Sequence, residues 1–287
     1  MATENDLRRV DSRNAGEAVQ EDGCVQKNVA APESFRYTPL GDNSKRIRLC
    51  EVLLPGSRHG PLTISLKEHA LDAVADQFDA LSYVCGDPAG PKSPVILNGK
   101  RHTINRNLRT QLCRILELDW NGMIWVDALS IDQTNDIERS VQVNLMNRIY
   151  GGAREVFIGV DNETMNVRRA AEEHAIVASA IHALAAERHV WELDTELLEG
   201  KPAELSGTLV RSMCRLLGSE WFSRVWCVQE VCLAKKATLL IGSGSLPWET
   251  FTSAIGSWRK HREMSCCSPF VGQQDAKLRE AFHEVCF

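Results

Sequence analysis

The sequence predicts an α/β fold in which a mostly parallel sheet is flanked by helices, with a small N-terminal β-hairpin extension and extra C-terminal helices. Three observations carry this. The apolar run 123–126 can be buried on both faces, as a central parallel strand must be. It stops at Asp127 and passes through a polar loop into a helix on which Ile137, Val141, Leu145 and Ile149 recur at spacing four. Further strand-like runs begin at Phe78 and Val156, and the order strand, helix, strand, helix, strand implies crossovers and parallel pairing.

Each element has a local reason. Residues 1–31 are polar and charged with almost no aromatic or branched apolar content, which predicts a disordered tail ahead of one domain over 32–260. Runs at 35–40 and 47–54, separated by Gly41-Asp42-Asn43-Ser44, read as an antiparallel hairpin or lid, with a turn at 56–60 and another short strand at 62–66. The alternating run 78–84 breaks at Gly86-Asp87-Pro88, the pattern of a strand emerging at a sheet edge where ligands sit. Asn98-Gly99 predicts a hairpin turn, and Asn105 or Asn107 can cap a helix carrying Leu108, Leu112, Ile115 and Leu116. Asn135, with Glu138 three residues on, opens the next helix as a capping-box variant, and Gly151-Gly152 closes it. Residues 163–190 and 205–217 have helical spacing and read as peripheral. The segment 220–236 predicts one amphipathic helix, 237–241 a strand, and 261–287 a C-terminal helical extension with its last helix at 275–286.

Composition narrows the function classes. A net charge of −5, with no basic block interleaved with aromatics, argues against a nucleic-acid partner. No run approaches the roughly 18 apolar residues of a membrane helix, and the N-terminus lacks a signal-peptide pattern, so a cytoplasmic protein without a membrane span is expected. The ten cysteines are scattered through apolar positions and are expected to be reduced. No Cys-x-x-Cys occurs, so no metal and no cofactor is expected.

Few residues could carry chemistry. Glu230 lies four residues after Trp226 on the same predicted helix, so an indole can wall a carboxylate, raise its pKa and suit it to acid–base work or to stabilising a sugar cation. The alternative is that Trp226 packs in the core while Glu230 pairs with Arg224 or Lys235 near the surface. Asp127 ends a buried strand, where a carboxylate must be paired, cap the following loop or face a cleft. Asp132, Gln133, Glu138 and Arg139 follow it, either as a polar floor for a ligand or as a structural salt-bridge network. Cys85, before Gly86, is the best-placed thiol for a nucleophile, yet no histidine stands at a recognisable spacing, and a packed side chain is the other reading. His174, His182 and His189 share a helical face only loosely. Gly86 lacks the further glycines of a dinucleotide fingerprint.

Three segments in order resemble the heterokaryon incompatibility (HET) domain of filamentous fungi. That family carries an Ala-Leu-Ser-Tyr-x-Trp-Gly block, a Trp-Ile-Asp-Ala-Ile-Cys-Ile-Asn-Gln block followed by Glu-Arg and Ile-Tyr, and an Arg-Val-Trp-x-x-Gln-Glu block. The counterparts here are 80–86, 125–133 with Glu138-Arg139 and Ile149-Tyr150, and 224–230, within core motifs spanning 78–248. Cys85, Ser130 and Asp132 depart from the family's Trp, Cys and Asn. The resemblance implies a role in non-self recognition and programmed cell death, with protein partners and self-assembly. A more distant resemblance is to TIR domains, whose catalytic helix carries Trp-Cys-x-x-Glu, as at 226–230. It implies a TIR-like, flavodoxin-like sheet and NAD as a substrate, cleaved with Glu230 as the catalytic residue and Asp127 as a second candidate. Tyr83, Gly86, Asp87, Gln133, Arg139, Arg224 and Trp226 would then bind the ligand. The alternatives are a non-enzymatic oligomerising module and a truncated inactive member.

Overall fold

Among the residues that the computed structural model describes, 34–53, 60–160, 181, 216–242 and 244–263, nine strands form one sheet. In sheet order they are β5 (Lys100–Asn105), β4 (Lys92–Leu97), β2 (Leu62–Ala70), β1 (Arg46–Leu53), β6 (Met123–Trp125), β3 (Phe78–Tyr83), β7 (Val156–Gly159), β8 (Ala237–Ile241) and β9 (Gly244–Pro247). The central run β6-β3-β7-β8 is parallel, with Ala80 opposite both Trp125 and Val156. The pairs β1–β2, β1–β6, β4–β5 and β8–β9 are antiparallel. The pair β2–β4 is parallel, so four of the eight pairings are parallel and four antiparallel. The sheet is mixed, and the expectation of a mostly parallel sheet holds as an unbroken run only over β6-β3-β7-β8.

The N-terminal hairpin also differs from expectation. Its strands are β1 and β2, paired from Arg46↔Ala70 to Leu53↔Thr63, and β1 joins the main sheet through Cys50↔Ile124. It is part of the sheet and not an extension. Residues 35–40 form no strand, because Tyr37 turns inwards and its hydroxyl donates to Leu129 O at 3.0 Å. The Asn98-Gly99 turn is as predicted: positive φ at both residues (48° and 77°) matches the sheet's twist, and Asn98 Nδ2 donates to Leu66 O at 3.0 Å, tying the turn to β2.

Helices cover both faces. On one face α1 (Arg106–Glu117) buries Leu108, Leu112, Ile115 and Leu116 against Leu62, Ile64, Val95 and Leu97. On the other lie α3 (Asp136–Gly152), which buries Leu145, Ile149 and Tyr150, the short helices α4 (Glu220–Ser223) and α5 (Val225–Cys232), and α6 (Trp248–Glu263). Trp125, fully buried beneath α3, meets Tyr150 edge-on with centroids 5.6 Å apart. Asn135 caps α3 as predicted, accepting from Glu138 N at 3.1 Å. The apolar stripe begins a turn late, however, since Ile137 is 76% exposed while Glu138 and Gln142 are buried. The expectations for 1–31, 56–59, 163–180, 182–190, 205–215 and 275–286, and for the three histidines, concern residues outside those described.

A close contact joins α1 to the sheet. A Cβ on Gly159 would lie 2.6 Å from Gln111 Cδ, and Gln111 is fully buried with Nε2 donating to Asn107 Oδ1 at 3.1 Å. Gly159→Ala is expected to cost about 1–3 kcal/mol, because Gln111 cannot withdraw without breaking that bond. Urea unfolding checks it, and an unchanged midpoint would show that the contact relaxes freely.

Candidate functional site

The parallel core creates a crevice. The chain leaving β3 passes through β4 and β5 to α1 on one face, whereas the chain leaving β6 passes through α2 (Asp127–Ser130) to α3 on the other. Adjacent parallel strands whose connections part to opposite faces leave a gap beyond their carboxyl ends, where open α/β sheets bind ligands. Gly86, at φ +73°, turns the chain on the β3 side. Asn105 and Asn107, at the start of α1, donate to the carbonyls of Cys85 and Val84 and hold that turn. On the other side Asp127 begins α2, accepting from Ala128 N at 2.7 Å, and Gln133 Nε2 donates to the Asp127 carbonyl at 2.9 Å. The Cys85 thiol donates to Asp127 Oδ2 across the crevice at 3.7 Å. The Asp127 carboxylate thus accepts from the first amide of its own turn and from a thiol at the end of β3.

Glu230 enters from α5. The helix expected over 220–236 is broken at Arg224, whose extended backbone (φ −89°, ψ 121°) ends α4 and starts α5. The break lets the Arg224 guanidinium donate to Tyr83 O at 2.8 Å, at the end of β3. Inside α5, Glu230 is 7% exposed and accepts a short hydrogen bond from Ser82 Oγ, which itself accepts from Trp221 Nε1 at 2.7 Å. Burial pushes the Glu230 carboxyl above its ordinary value; the Ser82 hydrogen bond opposes this, the charge of Asp127 adds to it, and Arg224 and Tyr150 oppose it. Burial likewise raises Asp127, against its Ala128 hydrogen bond and Arg224. Tyr83 is buried with no hydrogen-bond partner for its hydroxyl, which lies close to Cys85 and Asp127. Burial pushes the Cys85 thiol up to about 11 and Cys227 to about 12, so both stay protonated at neutral pH, which weighs against a Cys85 nucleophile.

Glu230, Asp127, Arg224, Tyr83 and Gly86 therefore gather at one crevice, with Gln133 on its rim. One expectation needs correction, and two further side chains have local partners. Trp226 is 54% exposed and does not enclose the carboxylate; the indole that reaches Glu230, through Ser82, is Trp221. Asp87 is exposed, and its carboxylate is committed to its own turn, accepting from Ala89 N at 2.8 Å. Arg139 pairs with Asp136 at 2.8 Å on the surface of α3. The pairing of Glu230 with Lys235 does not form either, since Lys235 binds Asp76. Of the polar residues after Asp127, Glu138 is structural, gripped by buried Arg48 at 2.5 and 3.0 Å.

Ser82, Tyr150 and Trp221 were not singled out from sequence. A serine inside a run as apolar as β3 was the available signal, because a buried hydroxyl needs a partner. Among the described residues there is no group of three His, Cys, Asp or Glu side chains able to hold a metal ion. No helix there is long and apolar enough to cross a membrane.

Fold and site together define an α/β domain with a buried acidic cluster at the carboxyl ends of its parallel strands. The profile of the family described as "Heterokaryon incompatibility protein (HET)" matches residues 78–230, from the first residue of β3 to Glu230. The chain belongs to the HET family. It is similar to heterokaryon incompatibility protein 6, OR allele, of Neurospora crassa, 26% identical over 245 residues, which cover 75% of this chain and 36% of that relative. The chain thus spans about a third of the length of the curated relative it matches. No solved structure matches significantly.

Proposed function

We propose that this domain acts in fungal non-self recognition leading to growth arrest or cell death, and that it does so by hydrolysing NAD at the nicotinamide–ribose bond. The observation that carries this reading is the convergence of Glu230 with Asp127 and Arg224 at the crevice between β3 and β6. In that reaction the C1–N bond breaks and its electron pair leaves with nicotinamide. Glu230, ionised, faces the ribosyl cation. Water adds its oxygen to C1 and loses a proton, for which Asp127 is the neighbouring acceptor, while Arg224 offsets the negative charge gathered at the site. The Trp-Cys-x-x-Glu sequence of α5 and the four-stranded parallel core support a TIR-like reading of the domain, which we place at 32–260 of a cytoplasmic protein.

A second reading, assembly without catalysis, is favoured by the exposed apolar residues Val225 and Trp226 on α5 and Leu233 at its end. Assay of the purified protein with NAD, from dilute to high protein concentration, separates the two. Nicotinamide release that is lost in Glu230→Gln is expected. Absence of nucleotide loss at every concentration, with cell death persisting in Glu230→Gln cells, would sink the enzymatic reading.

A further inference from the structure

Serine is out of place in β3, where every residue is buried, and Ser82 is 1% exposed. Its hydroxyl lies between two fixed partners from two different helices: the Trp221 indole of α4 and the Glu230 carboxyl of α5. An indole N–H can only donate, so at 2.7 Å it occupies a lone pair of Ser82 Oγ. The serine proton is then directed at Glu230 Oε2. A hydrogen bond fed by a second donor is strengthened by polarisation.

We propose that Ser82 is a positioning residue, and Trp221 its donor, in a one-way hydrogen-bond chain that holds Glu230 by one oxygen and favours its ionised form, presenting Oε1 to the reacting sugar. The catalytic part of this statement rests on the NAD reading above; the positioning part does not. The chain bridges the break at Arg224: α4 supplies the donor and α5 the acceptor, so the mutual placement of these two short helices is read out at the carboxylate. Other groups act on the same carboxyl: Tyr150 from α3, Asp127 after β6, and Arg224 and Cys227 from the α4–α5 segment. Tyr150, which donates to Leu81 O at 3.3 Å, also lies within hydrogen-bonding reach of the Glu230 carboxyl, and Arg224 is engaged by Tyr83 O; of the two hydroxyls at the carboxyl, Ser82 is the one fed by the Trp221 indole.

The test is a carbon-13 carboxyl titration of Glu230 in the full chain, comparing the unaltered protein with Ser82→Ala and with Trp221→Phe, the latter keeping a ring but losing the donor. Both variants are expected to titrate at higher pH than the unaltered protein, Ser82→Ala the further, and Ser82→Thr to return towards the original curve. The acid limb of the NAD-loss profile should move to higher pH by the same displacement, with the rate at a fixed pH on that limb falling about tenfold for each pH unit. A Glu230 titration unchanged in folded Trp221→Phe and in folded Ser82→Ala overturns the proposal. If Ser82→Ala does not fold, Trp221→Phe alone decides it. If the unaltered protein consumes no NAD, the enzymatic reading fails, and the titration still decides the role of Ser82.

Discussion

Glu230→Gln is expected to lower NAD hydrolysis by about 10²–10⁴-fold while leaving the domain as stable as before, or more stable, at neutral pH. The reason lies in the sign of the pKa shift. Burial raises the folded-state value of Glu230 above its ordinary 4.5, so between the unfolded and folded values the folded protein binds more protons than the unfolded chain. Its contribution to stability is therefore greatest below the unfolded value and is lost as pH rises through the folded one. Asp127, raised from 3.8, acts in the same sense. Glutamine removes the charge and still offers Ser82 an oxygen. The stability difference between Glu230→Gln and the unaltered protein should then shrink as pH falls towards 4.5. Denaturant midpoints at a series of pH values, read beside NAD turnover, check both halves; a variant less stable at neutral pH than at acid pH, relative to the parent, would contradict the sign.

Glu138→Ala is expected to cost about 3–5 kcal/mol, the largest stability effect at a single site here. Glu138 and Arg48 are 3% and 5% exposed, and the guanidinium grips the carboxylate with two hydrogen bonds. Arg48 also donates to Ser130 O and Thr38 O, and Asp132 N donates to Glu138 Oε1 at 2.8 Å. Truncation leaves a buried cation without a counter-charge and an amide without an acceptor. Total stabilities of about 5–15 kcal/mol make such a loss severe. Because Ser130 and Asp132 flank the loop that carries Gln133 to the Asp127 carbonyl, the rim of the crevice should loosen too. A double replacement, Arg48→Met with Glu138→Leu, is expected to recover much of the loss, since it removes both desolvation penalties. A single-variant cost below about 1 kcal/mol, the range of exposed pairs, would mean that the bridge is solvated.

Glu138 also shows where sequence reasoning stopped. Its spacing from Asn135 marked the start of α3 correctly, because a cap is a local bond between residues three apart. In a full capping box its carboxylate would also turn back on the cap. It turns instead to Arg48, ninety residues earlier, because a buried guanidinium competes better than a single backbone amide. The indole beside Glu230 was misassigned for a similar reason. Trp226 is adjacent on an ideal helix, but the break at Arg224 rotates a different tryptophan towards the sheet.

What the sequence by itself determined is local or patterned. The strands at β3, β6, β7 and β8, the Asn98-Gly99 turn, the Asn135 cap, the buried face of α1, and the family, through three motifs in order, all follow from periodicity and short spacings; Asn105 and Asn107 instead hold the carbonyls of Cys85 and Val84, and α3 runs through Gly151-Gly152. What only the tertiary structure decided is every pairing between distant segments: β1 with β6, Arg48 with Glu138, Ser82 with Trp221 and Glu230, and Cys85 with Asp127. A hydrogen bond between residues 82 and 230 leaves no period in the chain. It exists because the packed sheet excludes water and leaves each buried polar group to find whichever partner the fold brings within reach.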